Sequence, residues 1–436
     1  MEPPQLGHRH RVVVIGAGFG GLAVARSLAT APVDVLLIEA NNFHTFQPLL
    51  YQVATAGLDA DNVAYVVRGI FGRQTNATVR MGRVDDVDVN ARTVTLTDGA
   101  SLPYDTLVIA TGAVPTDLGV AGVAEHGFML KSVQDALAIR NHVISQFERA
   151  AADPGHIERG GLNVVVSGGG PTGVEMAGAL RELFDHVLAN DFPAIDMGQA
   201  HITLVELGDR VLAPFTPSSS RHALTSLRRR GVEVRLGVGV DHVEPTSVHL
   251  TDGAILDAHT LIWATGVVAS PLAALVGTEI TRGGRLVVND DLSIPGHPEV
   301  FAIGDIAAAR NRKGATLPQV AQPAIQGGHH VADQIRRRLE GKPTTTFRYL
   351  DKGNMATIGR LRAVADLPGG IRLSGPVGWA AWLGLHLVYL MGFRNRANVF
   401  INWCWNFLTY DRGSRLLAES QRGAERTTTS KPPAPY

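Results

Sequence analysis

One device occurs twice in this chain, and it constrains the fold more than any other feature. In "RVVVIGAGFGGLAVARSLA" a β-branched run, Val12–Ile15, passes through Gly16-x-Gly18-x-x-Gly21 into the helix-favouring stretch Leu22–Leu28. In "LNVVVSGGGPTGVEMAGAL" the run Val164–Val166 passes through Gly168-x-Gly170-x-x-Gly173 into a second helical stretch. The first glycine of such a turn permits the reversal, the second lets a pyrophosphate approach the backbone, and the third lets the helix pack on the strand. The helix N-terminus then attracts phosphate. Pro171 and Thr172 stand where the second helix opens, a place that tolerates proline. Each unit is followed by an apolar strand that closes on a carboxylate, Glu39 after Val33 and Glu206 in "HITLVELG". Such a carboxylate accepts hydrogen bonds from ribose hydroxyls. One copy is weak evidence, because a glycine-rich turn without a ligand has the same spelling. Two complete copies imply two bound dinucleotides and an alternating α/β architecture.

The expected pair is FAD and a nicotinamide dinucleotide. Glu206 favours NADH, since a carboxylate repels a 2′-phosphate, although the nearby Arg210 softens that discrimination. With 436 residues and 45% hydrophobic composition, the chain can bury a large core in two or three domains. Lys plus Arg equals Asp plus Glu at 40 each, so no global field recruits nucleic acid, and no nucleic-acid module is present. Cys404 is the single cysteine, which excludes an internal disulfide and fits a reducing compartment. The opening "MEPPQLGHRH" lacks the apolar core of an export signal. No His/Cys/Asp spacing suggests a metal, and His329 and His330 read as ordinary helix residues. A linker is expected at Ala151–Gly161, and the polar, proline-rich Glu419–Tyr436 is expected to be disordered.

"VVVIGAGFGGL", "YDTLVIATGA" (Tyr104–Ala113), "LIWATGVVASPL" (Leu261–Leu272) and "VFAIGD" (Val300–Asp305) are similar to motifs of flavoprotein reductases with two dinucleotide-binding domains. More narrowly, "FQPLLYQVATAGL" (Phe46–Leu58), "AQPAIQGGHH" (Ala321–His330) and "DKGNMATIGRLRAVAD" (Asp351–Asp366) resemble the type II NADH:quinone oxidoreductases, single-subunit respiratory dehydrogenases that do not pump protons. The resemblance covers about residues 10 to 420. It implies two Rossmann-like domains, a FAD domain with the NAD domain inserted, plus a C-terminal membrane-associating helical region. The expected bounds are 8–125 and 286–350 for FAD, 126–285 for NADH, 351–418 for anchoring and dimerisation, and 419–436 for the tail. It further implies non-covalent FAD held through Gly16, Gly18, Gly20, Gly21, Glu39, Gln47, Thr111, Gly112, Asp305, Ala321 and Gln322, with Asp305 on the ribityl chain. NADH is expected over the flavin through Gly168, Gly170, Gly173 and Glu206, with Thr265 and Gly266 at the second crossing between domains.

Disulfide reductases and sulfide:quinone oxidoreductases of this architecture use cysteines beside the flavin, and Cys404 alone cannot do that chemistry. Electrons are therefore expected to enter as hydride and leave the flavin directly. The resemblance places Gln322 and Gln326 where a quinone arrives; their spacing of four puts both amides on one helix face, and an amide can donate to a quinone oxygen as it gains charge. The alternative is that both amides satisfy backbone groups. Glu175 is expected near the nicotinamide, where a carboxylate would orient the carboxamide or support the charge-transfer complex; the alternative is an acid favourable to the helix dipole.

Menaquinone or ubiquinone is lipid-borne, so a membrane face is expected. Pro376–Phe393 contains no Asp, Glu, Lys or Arg but is short for a span. Asn398, Asn402 and Asn406 form a polar stripe opposed to Phe400, Trp403 and Phe407. Trp379, Trp382, Trp403 and Trp405 suit a lipid–water interface, and Arg394, Arg396, Arg412 and Arg415 suit anionic headgroups. A peripheral, monotopic enzyme on the cytoplasmic face of the cell membrane is the expectation, with a homodimer sharing part of that surface. The competing readings are a soluble NAD(P)H:acceptor oxidoreductase and a NADH-sensing flavoprotein.

Overall fold

The computed structural model describes residues 9–410 and 412–417; the tail expected from Glu419 lies outside them. Two compact units emerge. The first comprises residues up to Thr45, Ala64–Thr116 and Gly266–Gly353; the second comprises Phe46–Val63, Asp117–Thr265 and the residues from Asn354 onward.

The first unit is built on a six-stranded sheet in the order Ser293–Ile294, His297–Ala302, Thr106–Ile109, His10–Ile15, Val33–Glu39, Ala77–Met81. All neighbours are parallel except the outermost pair at the Ser293 edge. Val12, Val13 and Val14 are fully buried, as a central parallel strand covered on both faces requires. The helix Phe19–Ser27 lies against the helix Ala321–Leu339 at a distance only glycine allows: a Cβ on Gly328 would sit 2.5 Å from the Gly20 carbonyl oxygen. The strand ends at Ala113–Pro115 and Val267–Ala269 pair as an antiparallel ribbon, Ala113 opposite Ala269.

The second unit repeats the plan with a five-stranded parallel sheet, Gly127–Met129, Thr260–Trp263, Val164–Ser167, Ile202–Glu206, Val232–Leu236. The helix Val133–Ala152 starts at a capping box in which Ser132 and Asp135 satisfy each other's backbone amides. The linker expected at Ala151–Gly161 is instead interior to this unit. It holds the end of that helix and the helical turn Gly155–Glu158, with His156 buried against Gln146. Its proline and glycines serve a tight reversal between packed elements.

The same unit continues into a three-stranded antiparallel sheet, Asn354–Gly359, Arg362–Asp366 and Arg372–Ser374, and two helices, Gly375–Tyr389 and Phe393–Thr409. The apolar stretch Pro376–Phe393 is thus broken at Leu390–Gly392, and no helix among the described residues is long and apolar enough to cross a membrane. The last helix is inverted relative to an ordinary surface helix. Asn395 Nδ2 donates to the carbonyls of Asp61 and Asn62, Asn406 Nδ2 to that of Gly57, and Trp403 Nε1 to Gln52 Oε1. Phe393, Phe400, Ile401, Trp405 and Leu408 point outward, the last 77% exposed.

Several C-terminal expectations are corrected by this packing. Trp403 and Phe407 lie on the protein-facing side with the asparagines, not opposite them, and Trp382 is buried with its ring stacked 3.9 Å from His386. Arg412 is buried on Glu182 and the carbonyl of Thr55, Arg415 pairs with Asp191, and Arg396 caps the carbonyls of Val388 and Leu390. Arg394 remains outward with the exposed apolar side chains.

Two glycines of the second unit make opposite predictions. A Cβ on Gly178, in the helix Pro171–Leu183, would land on the carbonyl of Ile358, whereas Gly384 has open space around it. Gly178→Ala should lower the thermal midpoint by about 5 °C, from overpacking of roughly 1–3 kcal/mol. Gly384→Ala should raise it slightly, because alanine is the better helix former by about 1 kcal/mol. Thermal unfolding of the purified flavoprotein, followed by circular dichroism, checks both signs.

Candidate functional site

The two glycine turns superpose in their chemistry bond for bond. Gly16 has φ 101° and Gly168 φ 108°, values that disfavour any side chain. Gly16 N–H donates to the carbonyl of Ile38 and Gly168 N–H to that of Val205, each at 2.8 Å. Gly18 and Gly170 are the N-caps of their helices, and a Cβ on either would meet nothing within 4 Å. That open side is where a pyrophosphate can reach the backbone. A Cβ on Gly21 or Gly173 would instead fall on the carbonyl oxygen of the first glycine, Gly16 or Gly168.

The strand-end carboxylates lock the turns. Glu39 Oε2 accepts from Ala17 N–H at 2.6 Å and Oε1 from Asn41 N–H at 3.1 Å. Glu206 Oε2 accepts from Gly169 N–H at 2.5 Å and Oε1 from Gly208 N–H at 2.7 Å. A carboxylate has about four lone-pair sites, so each retains capacity for ribose hydroxyls. Arg210 donates to the carbonyl of Ala213, so its guanidinium is turned to its own loop.

In the first unit Thr111 and Gly112 follow the Thr106–Ile109 strand, where Gly112 adopts φ 69° and its carbonyl accepts from Ser270 N–H. Gly304, at φ 74°, opens the short turn carrying Asp305, and Gln319 Nε2 donates to the Asp305 carbonyl at 3.1 Å. Thr111 Oγ1 and Gln322 Oε1 are both buried without a hydrogen-bond partner among the described residues. Buried polar atoms of that kind normally find partners. Two of them, with the open cradle at Gly18, fit a polar dinucleotide such as FAD. Ala321 and Gln322 stand at the start of the Ala321–Leu339 helix, whose N-cap Val320 has no side-chain cap. Gln326 behaves differently from Gln322: its Nε2 donates to the Leu350 carbonyl and its Oε1 accepts from Leu350 N–H, both at 2.9 Å. Gly20 faces Ile303 and Ala324, so it acts through helix packing. Gln47 is exposed at the start of the turn Gln47–Leu49 in the second unit.

Glu175 lies in the second turn of its helix and is 7% exposed. It is therefore not a first-turn acid serving the helix dipole. It lines a cavity of about 110 Å³ with Tyr51, Gln52, Thr357, Trp382 and Trp403. Thr357 N–H donates to its Oε1 at 3.3 Å, and Trp382 Nε1 lies close to it without closing a bond of normal geometry. Burial pushes the Glu175 carboxyl up to about 8, with these two donors pulling it partly back. It is consequently largely protonated at neutral pH. Glu182, across the cavity, is ionically satisfied instead, by Arg230 at 2.8 Å and Arg412 at 3.3 Å.

The pattern of the pyridine nucleotide-disulphide oxidoreductase family matches residues 10–328, and that of the NDH2 C-terminal domain matches 352–410. The type II NADH:quinone oxidoreductase NdhA of Mycobacterium tuberculosis is 40% identical over 433 residues, which is 95% of this chain and 91% of that protein. The homologous Ndh of the same organism is 39% identical, over 96% and 92% of the two chains. The chain belongs to the type II NADH:quinone oxidoreductases. Its fold matches the solved structure of NDH2 from Plasmodium falciparum in complex with NADH, with a TM-score of 0.86 at 20% identity over 94% of this chain and all of that one.

Within this type II enzyme, three side chains to which the sequence gave no role in the sites shape them. His44 Nδ1–H donates to the Ala17 carbonyl at 2.8 Å and buttresses the first glycine turn; burial holds its pKa down and the ring neutral. Trp382 and Thr357 set the environment of Glu175. His44 stands just before the motif "FQPLLYQVATAGL", but a lone histidine has no spacing to flag it. Trp382 and Thr357 lie about 200 residues from Glu175, and only the tertiary structure brings them there.

The raised Glu175 pKa has a definite sign in stability. Between the unfolded value near 4.5 and the folded value near 8, the native state holds a proton that the unfolded chain has released, so stability falls as pH rises through that window. Glu175→Gln removes this dependence. The thermal midpoint of the variant relative to wild type should increase steadily as pH rises through the window from about 4.5 to about 8; a constant difference refutes the assignment.

Proposed function

We propose that this chain oxidises NADH through non-covalently held FAD and reduces a membrane quinone, with the balance NADH + H⁺ + quinone → NAD⁺ + quinol. The observation that carries it is the pair of matched turns, each closed by a strand-end carboxylate, in a chain of this family. The first unit takes FAD, through the backbone at Gly16–Gly21, Glu39, Thr111, Gly112, Asp305 and Gln322. The second takes NADH, its pyrophosphate at Gly168–Gly173 and its adenosine ribose at Glu206, whose charge and the diverted Arg210 favour NADH over NADPH. Bound FAD supplies a two-electron carrier between hydride donor and quinone. Gln322 presents its amide to the ligands, and Gln326 holds the Leu350 backbone and so positions that region. Glu175, as a protonated carboxyl, donates a hydrogen bond or a proton where a deprotonated one would repel developing negative charge.

The outward face of the last two helices, with Val377, Val388, Phe393, Phe400, Ile401, Trp405 and Leu408 beside Arg394, supports peripheral attachment to a lipid surface. A helix whose asparagines point inward has given its solvent-facing side to apolar groups, the reverse of what water selects. We place that face on the cytoplasmic side, where NADH is available. A homodimer contact through part of the same surface is the second reading.

Anaerobic stopped-flow spectroscopy tests the reaction. NADH should bleach the flavin of the purified enzyme, and a menaquinone or ubiquinone analogue should restore it. Gln322→Leu should retain flavin, which keeps its contacts with the first glycine turn, Glu39 and Asp305, and its reduction by NADH within about twofold, while slowing quinone reoxidation at least about tenfold, as for loss of a charge-assisted hydrogen bond. Unaltered reoxidation would remove Gln322 from the quinone site.

The attachment makes a separate prediction. Ile401→Glu with Leu408→Glu should abolish co-flotation with anionic lipid vesicles and leave turnover with a water-soluble quinone intact. Flotation like that of wild type assigns the face to a protein partner, and analytical ultracentrifugation then reports whether that partner is a second copy.

A further inference from the structure

The second unit carries a three-stranded antiparallel sheet, Val240–Glu244, Ser247–Leu250 and Ile255–Asp257, remote in role from everything described above. Its first two strands pair with His242 opposite His249, Val243 opposite Val248 and Glu244 opposite Ser247. Val243 and Val248 point into a buried cluster with Val165, Val205 and Leu261. Because strand side chains alternate, His242, Glu244 and His249 are committed to the opposite, outward face. The register cannot slip without burying them.

On that face the two imidazoles stack with centroids 3.9 Å apart, and His249 Nε2 lies 3.6 Å from Glu244 Oε2. One potential ligand atom from each of His242, Glu244 and His249 falls within 4.8 Å of the others. Around a tetrahedral divalent ion, ligand atoms stand about 3.4 Å apart, so side-chain rotation alone closes the set while the backbone stays in register. A register irregularity between Val240 and His242 places Asp241 beside His242, whose Nδ1 lies 2.9 Å from Asp241 Oδ2. That carboxylate holds the proton on Nδ1 and leaves Nε2 as a lone-pair donor, the support that metal-binding histidines ordinarily receive. Ser247 Oγ bridges the remaining pair, at 3.2 Å from both Glu244 Oε2 and His249 Nε2.

We infer that His242, Glu244 and His249 form a surface site for a borderline divalent transition metal, zinc, cobalt or nickel, with Asp241 as the supporting carboxylate. Two imidazoles and one carboxylate favour these ions over magnesium or calcium, which prefer oxygen ligands, and leave a fourth position for water. Sequence spacing did not reveal the site: His242 and His249 are seven apart, and only the hairpin makes them neighbours. The ion would cross-link the two strands and take no part in the reaction.

Tag-free, flavin-loaded full-length enzyme, treated with chelator and then titrated with cobalt(II), tests this. Wild type should take up one equivalent at this site with visible d–d absorption, and zinc should displace it. His249→Ala and Glu244→Gln should each weaken that binding at least about tenfold with flavin content unchanged, and Asp241→Asn should weaken it by about tenfold or more. Absence of a cobalt spectrum in wild type, or an identical titration in His249→Ala and Glu244→Gln, overturns the proposal.

Discussion

Both glycine turns depend on one close approach, the third glycine of each pressed against the carbonyl of the first. At Gly21 and at Gly173 no Cβ fits, and this absence lets the helix begin directly on the end of the strand. Once it does, the first helical N–H groups point into the open space beside Gly18 and Gly170, where an anion gains from both hydrogen bonds and helix dipole. The strand-end carboxylates complete the arrangement. By accepting from Ala17 and Gly169, Glu39 and Glu206 fix the shape of each turn through bonds within the protein itself, which lowers the ordering cost of binding.

The C-terminal region of the second unit follows a different logic, in which polar groups are spent inward. Asn395, Trp403, Asn406 and Arg412 satisfy carbonyls and an amide of the segment Gln52–Asn62, and Arg412 also meets Glu182. Buried polar groups tolerate this only when partnered. The result is a helix anchored by hydrogen bonds on one side and left apolar on the other. The same packing encloses Glu175 between Thr357 and Trp382 and raises its pKa, so the outward apolar face and the proton affinity arise from one set of contacts. Glu182, about two turns further along the same helix, is instead paired with Arg230 and Arg412.

How legible this was depended on how local the physics is. The strands Val12–Ile15 and Val164–Val166, their turns and the acidic strand ends are set by neighbours in sequence, and each stands where periodicity and glycine spacing put it. The linker at Ala151–Gly161 misled because proline and glycine mark a reversal equally well inside a unit and between units. The grouping of Phe46–Val63 with the second unit was invisible, since flanking strands Phe43–Thr45 and Ala64–Val66 pair with each other in the first. Gln322 and Gln326 share a spacing and a helix face, yet Leu350, beyond the end of that helix, occupies the amide of Gln326 and leaves that of Gln322.

By itself, then, the sequence determined that the strand–glycine turn–helix unit occurs twice, that a single cysteine cannot supply a redox-active pair, and that an apolar, arginine-flanked stretch lies in its last part. Each of these is written in residue type or in spacings of a few residues. Tertiary structure alone decided which arginines remain outside, which glutamate is protonated, which glutamine keeps an unpaired amide oxygen, and that His242 meets His249. The reason is that charge state and hydrogen-bond satisfaction depend on what surrounds an atom in space, and those surroundings come from segments that only the fold brings together.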